Sequence, residues 1–350
     1  MRRLLLYIIC MPMLLLSSCD VYEWPEAAPT AKVHLRLHFN TAMTRWEYLY
    51  DGVQVKEQGL ADTYDNCQAQ GQIRYIVRTY PASGKQRSLQ DCNYTQEFVF
   101  TKNMADGYDH DVTLNILPGS YDIMVWADMT ESAGDSYFYD AGNFSEIRLQ
   151  GAHRGSTDHR DAFRGTGSIT VVTDNIEHAP DTLDVEMQRP MAKLELITTD
   201  LQKFIDKQMQ LLSKDPEKRG DNHSIKVDLK TYRIVFQYAG FMPDTYNMFI
   251  NKPIDSSMGV MFESKMTVLN DNEASLGFDY VFVNGQEAGV SLQIGLYDAE
   301  NKQLAFSEPI TVPLRRNRHT VLRGSFLMQQ ASGGITIDSD FDGNHNIVIE

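Results

Sequence analysis

Strict alternation of apolar and polar residues is the pattern in this sequence that most limits its possible folds. Over residues 33–39, every second position is apolar, and histidine or arginine stands between. Because successive side chains of a strand point to opposite faces, this spacing gives a sheet one apolar face and one polar face. The same pattern recurs at 72–80, 96–101, 112–117, 121–127, 169–173 and 183–187, and in many short segments after residue 190. It predicts an all-β fold.

The length of the chain and the position of Pro190 suggest a division into domains. At about 150 residues per domain, 350 residues suggest two domains, and Pro190 marks the change between two β-rich stretches. We predict two tandem β-sandwiches, over 31–189 and 190–350. A turn at Pro118 and Gly119 predicts a hairpin between its flanking strands. Apolar residues at helical spacing over 200–212 predict one short helix in the second domain, with Asp200 as its N-cap.

The first residues have the form of an export signal. Two arginines follow Met1, and an apolar stretch over 4–16, too short to span a bilayer, ends in Leu16-Ser17-Ser18-Cys19. This ending resembles the bacterial lipobox, in which the cysteine receives a diacylglyceryl group. A plain secretory signal with an incidental cysteine is the alternative. We predict a signal peptide over 1–18, lipidated Cys19 as the mature N-terminus, and a tether over 19–30.

Charge excludes one class of partner. The formal net charge is −15, and removal of the two signal-peptide arginines makes it −17. Lysines and arginines are dispersed, whereas binding to a phosphate backbone needs a basic face. We therefore expect no nucleic acid as partner, and contact with a membrane only through the lipid.

Two cysteines remain in the folded part. Cys67 and Cys92 stand 25 positions apart in an exported chain, where a disulfide is permitted but not required. If formed, it would stabilise the fold by roughly 3 kcal/mol in the chain-entropy model.

Three further groups of residues are candidate binding sites. Asp338, Asp340 and Asp342 reproduce the first half of a calcium loop, although a polar turn between strands explains them too. His153 and His159 share a glycine-rich loop with two aspartates, which suits either a metal or solvent. The aromatic side chains that could stack on a glycan, or instead anchor their loop, are Tyr137, Phe138, Tyr139 and Phe144. Calcium is the one cofactor that the sequence suggests.

No nucleophile elbow, phosphate-binding loop, dinucleotide fingerprint or helical zinc motif occurs in the sequence, so we expect no enzymatic activity.

Several other segments look familiar together. They are Ile73-Arg74-Tyr75-Ile76-Val77, Pro118-Gly119-Ser120-Tyr121-Asp122-Ile123, Val125-Trp126-Ala127-Asp128, Arg160-Asp161-Ala162-Phe163, Arg189-Pro190-Met191-Ala192-Lys193-Leu194-Glu195, and Val312-Pro313-Leu314-Arg315-Arg316-Asn317-Arg318-His319-Thr320. This set resembles the fimbrillin-like lipoproteins of Bacteroidales.

The resemblance implies two transthyretin-like or immunoglobulin-like sandwiches, an outer-membrane lipid anchor, and display on the cell surface. It implies a structural or adhesive role as a pilus anchor, tip or accessory subunit, with other fimbrial subunits or a surface ligand as partners. In polymerising members an arginine-specific protease removes the N-terminal segment, and Arg36 and Arg45 lie in the corresponding region. The alternative function is a glycan-binding surface lipoprotein that serves polysaccharide uptake.

Overall fold

The computed structural model describes residues 29–84, 93–172, 181–214, 226–285 and 287–329. Strands prevail in these ranges, which confirms the all-β class. The strands before residue 190 are β1 Ala31–Phe39, β2 Ala42–Tyr50, β3 Val55–Asp65, β4 Gln72–Pro81, β5 Gln96–Asn103, β6 His110–Ile116, β7 Gly119–Thr130, β8 Tyr139–Asp140, β9 Ile147–Leu149, β10 Ala162–Val171 and β11 Asp181–Met187. Those after it are β12 Met191–Thr198, β13 Arg233–Tyr238, β14 Met242–Asn247, β15 Lys252–Ser257, β16 Met261–Ser264, β17 Thr267–Val268, β18 Ala274–Phe282, β19 Glu287–Tyr297, β20 Gln303–Phe306, β21 Ile310–Arg315 and β22 Arg318–Gly324.

The first sandwich packs a three-stranded sheet, β11-β1-β6, on a four-stranded sheet, β10-β7-β4-β5. β1 is the central strand of the smaller sheet, parallel to β11 and antiparallel to β6. Val33, Leu35 and Leu37 of β1 are wholly buried and share one core with Tyr75 and Val125 of the facing sheet. The predicted apolar face of β1 is therefore correct, because those side chains leave water against the opposite sheet.

The turn at Pro118 and Gly119 does not form the predicted hairpin. β6 pairs with β1, whereas β7 pairs with β4 and β10 of the facing sheet. Gly119 has a φ of 150°, and a Cβ there would lie 2.9 Å from the hydroxyl of Tyr121. A glycine is required at this position because the backbone conformation is one that side chains rarely allow. The turn carries the chain from one sheet to the other.

The second sandwich takes two strands from the first half of the chain. Its larger sheet has the order β17-β18-β12-β22-β2-β3, and β19 of its smaller sheet, β16-β13-β19-β20, also pairs with β21. β2 lies parallel to β22 and antiparallel to β3, so the hairpin over 42–65 completes this sheet. Tyr48 and Tyr50 of β2 are buried in the same core as Phe236 and Leu292.

A smaller sheet, β15-β14-β9-β8, also joins strands from both halves. It covers a third core cluster in which Trp126, Tyr139 and Phe144 meet Tyr246 and Phe282. The domain boundary at residue 190 stays a prediction. The strand pairings show that segments 42–65 and 139–149 pair with strands that follow residue 190.

The helix α1, Leu201–Lys214, lies close to its predicted range. It packs Leu201 and Phe204 into the second core. Asp200 stands at the predicted N-cap position, where its carbonyl accepts the backbone N–H of Phe204 at 3.0 Å. Its carboxylate accepts instead the backbone N–H groups of Leu327 and Met328, at 3.3 and 3.0 Å. Asp200 thereby ties the chain after β22 to the start of α1.

Candidate functional site

Several predicted site residues lie outside the described ranges, namely Cys19, Cys92, Asp338, Asp340 and Asp342. Cys67, the other half of the predicted disulfide, is exposed. Lipidation, the disulfide and the calcium site therefore stay predictions. Within the described ranges, no group of three or more histidine, cysteine, aspartate or glutamate side chains is arranged to hold a metal ion. No helix in those ranges combines the length and apolar character needed to cross a membrane.

The predicted aromatic platform is partly closed. Tyr139 and Phe144 are each 1% exposed, and the Tyr139 hydroxyl donates to the carbonyl of Arg160 at 2.6 Å. A ring buried on both faces cannot stack on a sugar, so these two side chains anchor the loop instead. Tyr137 and Phe138 are half-buried. The guanidinium of Arg74 lies 3.9 Å from the centroid of Tyr137 and covers that ring.

The residues that the structure does bring together are charged and buried, at the junction of the two sandwiches. Nε of Arg189 donates to Oδ2 of Asp161 at 2.6 Å. Nη2 of Arg189 donates to the carbonyl of Thr41 at 2.9 Å, and Nη1 to Oδ1 of Asn317 at 2.9 Å. One guanidinium thus holds the link between β1 and β2, the start of β10 and the turn before β22. Charge-assisted bonds of this kind are strong when they are shielded from water.

A second buried pair joins the glycine-rich loop to β18. Nη1 of Arg160 donates to Oδ1 of Asp279, and both side chains are at most 2% exposed. Nε2 of His153 lies 2.7 Å from Oδ2 of Asp279, which also accepts the Tyr238 hydroxyl at 2.7 Å. Burial alone would raise the pKa of Asp279, but Arg160 and His153 outweigh it and hold that pKa below its ordinary value. Asp279 therefore stays ionised inside the junction.

The histidines of this loop do not form a shared site. His153 contacts Asp279, as described, whereas Nε2 of His159 lies 2.8 Å from the carbonyl of Gln70. Asp161, the aspartate that follows, is buried against Arg189. The loop connects the two sandwiches through these buried contacts, whereas its Arg154 side chain is 58% exposed.

A third polar contact fixes the hairpin of β2 and β3 on the second sandwich. The hydroxyl of Tyr64, on β3, lies 2.7 Å from Nδ1 of His319 on β22. Nε2 of His319 lies 3.0 Å from Oε2 of Glu195 on β12. Burial lowers the pKa of His319, and the neighbouring Glu195 only partly offsets it. The contact links three strands of one sheet.

A surface cleft of about 360 Å³ opens beside the junction. Phe138 lies on one wall, Met242 and Met258 line the cleft, and His153 reaches it from the buried pair. Methionines line binding surfaces that adapt to differently shaped apolar groups. Of the predicted aromatic residues, Phe138 is the one that contributes to this cleft.

Sequence reasoning did not assign the junction residues a role. Arg160, Asp161 and Arg189 stand in motifs on which the family resemblance rests. Their position in the sequence could have identified them, because each of these charged residues stands directly beside a segment with the apolar pattern of a strand. Asp279, 119 positions after Arg160, gives no such sign, since the pairing depends on tertiary structure.

Comparison with known proteins places the chain in a family. Residues 27–350 match the model of a family of unknown function, DUF6562. The chain belongs to this family. None of the curated proteins matches this DUF6562 chain.

Solved structures from species of Bacteroides and Porphyromonas are similar to the DUF6562 chain. A putative adhesin of Bacteroides ovatus is 12% identical, with 83% of this chain and 80% of that chain covered and a TM-score of 0.41. A putative polysaccharide binding protein of Bacteroides thetaiotaomicron is 10% identical, with coverages of 79% and 80% and a TM-score of 0.41. The fimbrial anchor protein Mfa2 of Porphyromonas gingivalis is 9% identical, with coverages of 79% and 82% and a TM-score of 0.35. Similarity this distant does not decide a function.

Proposed function

We propose that the chain is a lipid-anchored, surface-exposed fimbrillin-like protein with a structural or adhesive role, and that its two sandwiches form one load-bearing unit. The observation that carries this proposal is the position of the first two strands after the tether. Within the twenty residues 31–50, the chain passes through one strand of each sandwich that is paired along both of its edges. A pull on the lipid anchor would therefore act directly on both sheets.

The pairing of β1 resists such a pull. Val33–Phe39 of β1 are paired in register with Asp181–Met187 of β11, and β6 pairs along the other edge. Inter-strand hydrogen bonds lie across the strand axis, so force along β1 loads the whole ladder at once. Three wholly buried side chains, Val33, Leu35 and Leu37, would have to leave the core in the same step.

The pairing of β2 repeats the arrangement in the second sandwich. Thr44–Tyr50 pair in parallel with Arg318–Gly324 of β22, the last strand of the described chain. A load that enters at the start of β2 and leaves after β22 pulls opposite ends of this parallel pair. Arg189 locks the short link between β1 and β2 at Asn40, Thr41 and Ala42.

The same geometry supports an anchor, tip or accessory role over a polymerising subunit. Arg36 lies within β1 and Arg45 within β2, and each of these strands is paired along both edges. A protease needs a locally unfolded segment, and central strands open least readily. The folded chain would therefore keep the segment that carries the lipid. Its partners would be other fimbrial subunits or a ligand on another surface.

Replacement of Cys19 by alanine tests the anchor. We expect Cys19→Ala to move the protein from the membrane fraction to the soluble fraction of its native cells. Cys67→Ala, which changes a cysteine of the folded part, is the matched control and should stay with the membrane. Continued membrane association of Cys19→Ala would refute the anchor.

Purification from the native cell surface tests the role. Fimbrial subunits that co-purify with the intact protein would support the structural reading. A solitary lipidated monomer, accessible to a surface label but free of filament subunits, would argue against it.

A further inference from the structure

The outer face of the smaller sheet in the second sandwich carries a trough of about 570 Å³. Its floor is set by strand register, because Val235 of β13 stands opposite Glu263 of β16 on one side and Gly295 of β19 on the other. Gly295 in turn stands opposite Phe306 of β20. In this row across the sheet, Gly295 therefore lies between the larger side chains of Val235 and Phe306.

Gly295 shapes the trough. A Cβ at this position would lie 2.7 Å from the ring of Tyr297 and 3.3 Å from the ring of Phe306. Without it, both rings lean over the backbone of β19 and remain half-buried. The guanidinium of Arg233 lies 5.2 Å from the centroid of Tyr297 and covers that ring, so Phe306 is the aromatic side chain that the trough offers to a ligand. Aromatic rings at the edge of a depression offer a flat apolar surface to a ligand.

The polar groups around the trough are mainly amides. Within the described chain, the side-chain amide of Gln237 has no hydrogen-bond partner, and it lines the trough beside Met261. Oδ1 of Asn301 accepts a bond from Nη2 of Arg233 at 2.9 Å. This bond orients the Asn301 amide and leaves its N–H₂ group available to donate. An amide both donates and accepts, as a sugar hydroxyl does.

The charges of the trough cancel. Nη1 of Arg233 donates to Oε1 of Glu263, and these two residues are the oppositely charged pair of the lining. The chain as a whole carries −15, so an anionic polymer would meet repulsion and would find no unpaired cation among the described residues that line the trough. Because the charges that line the trough are paired, we expect its ligand to be neutral.

We propose that this trough binds a neutral carbohydrate, with a sugar ring against Phe306 and hydroxyls on Gln237 and Asn301. The site lies on β13, β16, β19 and β20, apart from the predicted aromatic loop and from β1 and β2. It does not depend on the lipid anchor or on load bearing, and the failure of either proposal leaves the other standing.

Affinity gel electrophoresis of the folded full chain without its signal peptide tests the site. The gels would contain one polysaccharide each: the neutral probes amylopectin, xyloglucan, galactomannan and dextran, and the acidic probe polygalacturonate. We expect at least one neutral polysaccharide to retard the protein and polygalacturonate not to do so. The trough variants are Gln237→Ala and Phe306→Ser, and Phe138→Ala in the neighbouring cleft is the matched control.

Each trough variant should weaken the retardation constant by about tenfold or more, the scale of one lost binding contact, while Phe138→Ala leaves it unchanged. The Gln237 amide makes no hydrogen bond to the residues that the structure describes, so Gln237→Ala keeps the test valid if Phe306→Ser unfolds. Absence of retardation in every neutral gel would overturn the proposal. So would retardation by polygalacturonate alone, or an undiminished constant in folded Gln237→Ala.

Discussion

Arg189 and Asp161 form an ion pair, with Nε and Oδ2 at 2.6 Å, from which water is excluded: their side chains are 0% and 1% exposed. The pair joins the segment after β11 to the start of β10, both in the first sandwich. The same guanidinium holds the backbone between β1 and β2 and bonds Asn317, which precedes β22 of the second sandwich. A fold that uses one buried arginine to fix its sandwiches has a rigid junction, which suits a part that carries load.

Removal of this arginine should cost much of the stability. Arg189→Met removes the charged partner of the buried Asp161 carboxyl, so we expect the free energy of unfolding to fall by about 3 to 5 kcal/mol. Urea denaturation followed by tryptophan fluorescence measures it. Arg36→Met, which breaks an exposed pair with Asp184, is the control and should cost about 1 kcal/mol or less. Equal losses for the two variants would contradict a special role for Arg189.

Buried His319 should make the protein sensitive to acid. Burial lowers its folded-state pKa, so as pH falls through about 6.5 the unfolded chain gains a proton that the folded chain resists. Its contribution to stability is therefore present above that pH and is lost below it. We expect His319→Gln to reduce the fall in the urea midpoint between about pH 7.5 and about pH 5.5.

His38 provides the opposite sign as a control. A hydrogen bond to Asp184 raises the pKa of His38, so its stabilisation is present at low pH and is lost as pH rises through the raised pKa. His38→Gln should therefore leave the acid-induced fall intact or make it slightly larger. An unchanged pH profile in His319→Gln would contradict the claim that buried His319 makes the protein sensitive to acid.

The closed part of the aromatic loop should behave as core. Phe144 is 1% exposed, so Phe144→Ala should lower the free energy of unfolding by about 3 to 5 kcal/mol. Phe241, which is 66% exposed, is the matched control, and Phe241→Ala should change stability by about 0.5 kcal/mol or less. A small effect of Phe144→Ala would return that ring to the list of candidate ligand contacts.

Local pattern predicted much of the fold because it reflects local physics. The alternation around Leu35 follows from the geometry of one strand, and the spacing around Phe204 from that of one helix. Which strands pair with one another was harder to predict from the sequence. Pro118 and Gly119 correctly signalled a turn, but a turn does not say whether the next strand pairs with the previous one or crosses to the facing sheet.

The candidate sites were harder to predict, since they depend on residues distant in sequence. Tyr137 and Tyr139 look alike in the sequence, yet one is half-buried and the other wholly buried. The trough needs Val235, Gly295 and Phe306 in one row, an arrangement that only strand register supplies. Likewise, the hairpin over 42–65 reaches β22 by a pairing across more than 270 positions, as in Thr44 with Arg318.

Single-molecule force spectroscopy tests load bearing most directly. One form of the full chain without its signal peptide is pulled from its N-terminus and from Glu350, so the force acts first on β1 and then shears β2 along β22. A second form is pulled from a cysteine in place of Val53, which is 90% exposed, and from Glu350. There the force enters beside Tyr50 and Gly324, at one end of the pair, and peels the strands apart. Both forms carry Cys67→Ser and Cys92→Ser. We predict a clearly higher unfolding force for the N-terminal attachment; equal forces, or a higher force from position 53, would contradict the proposed load-bearing design.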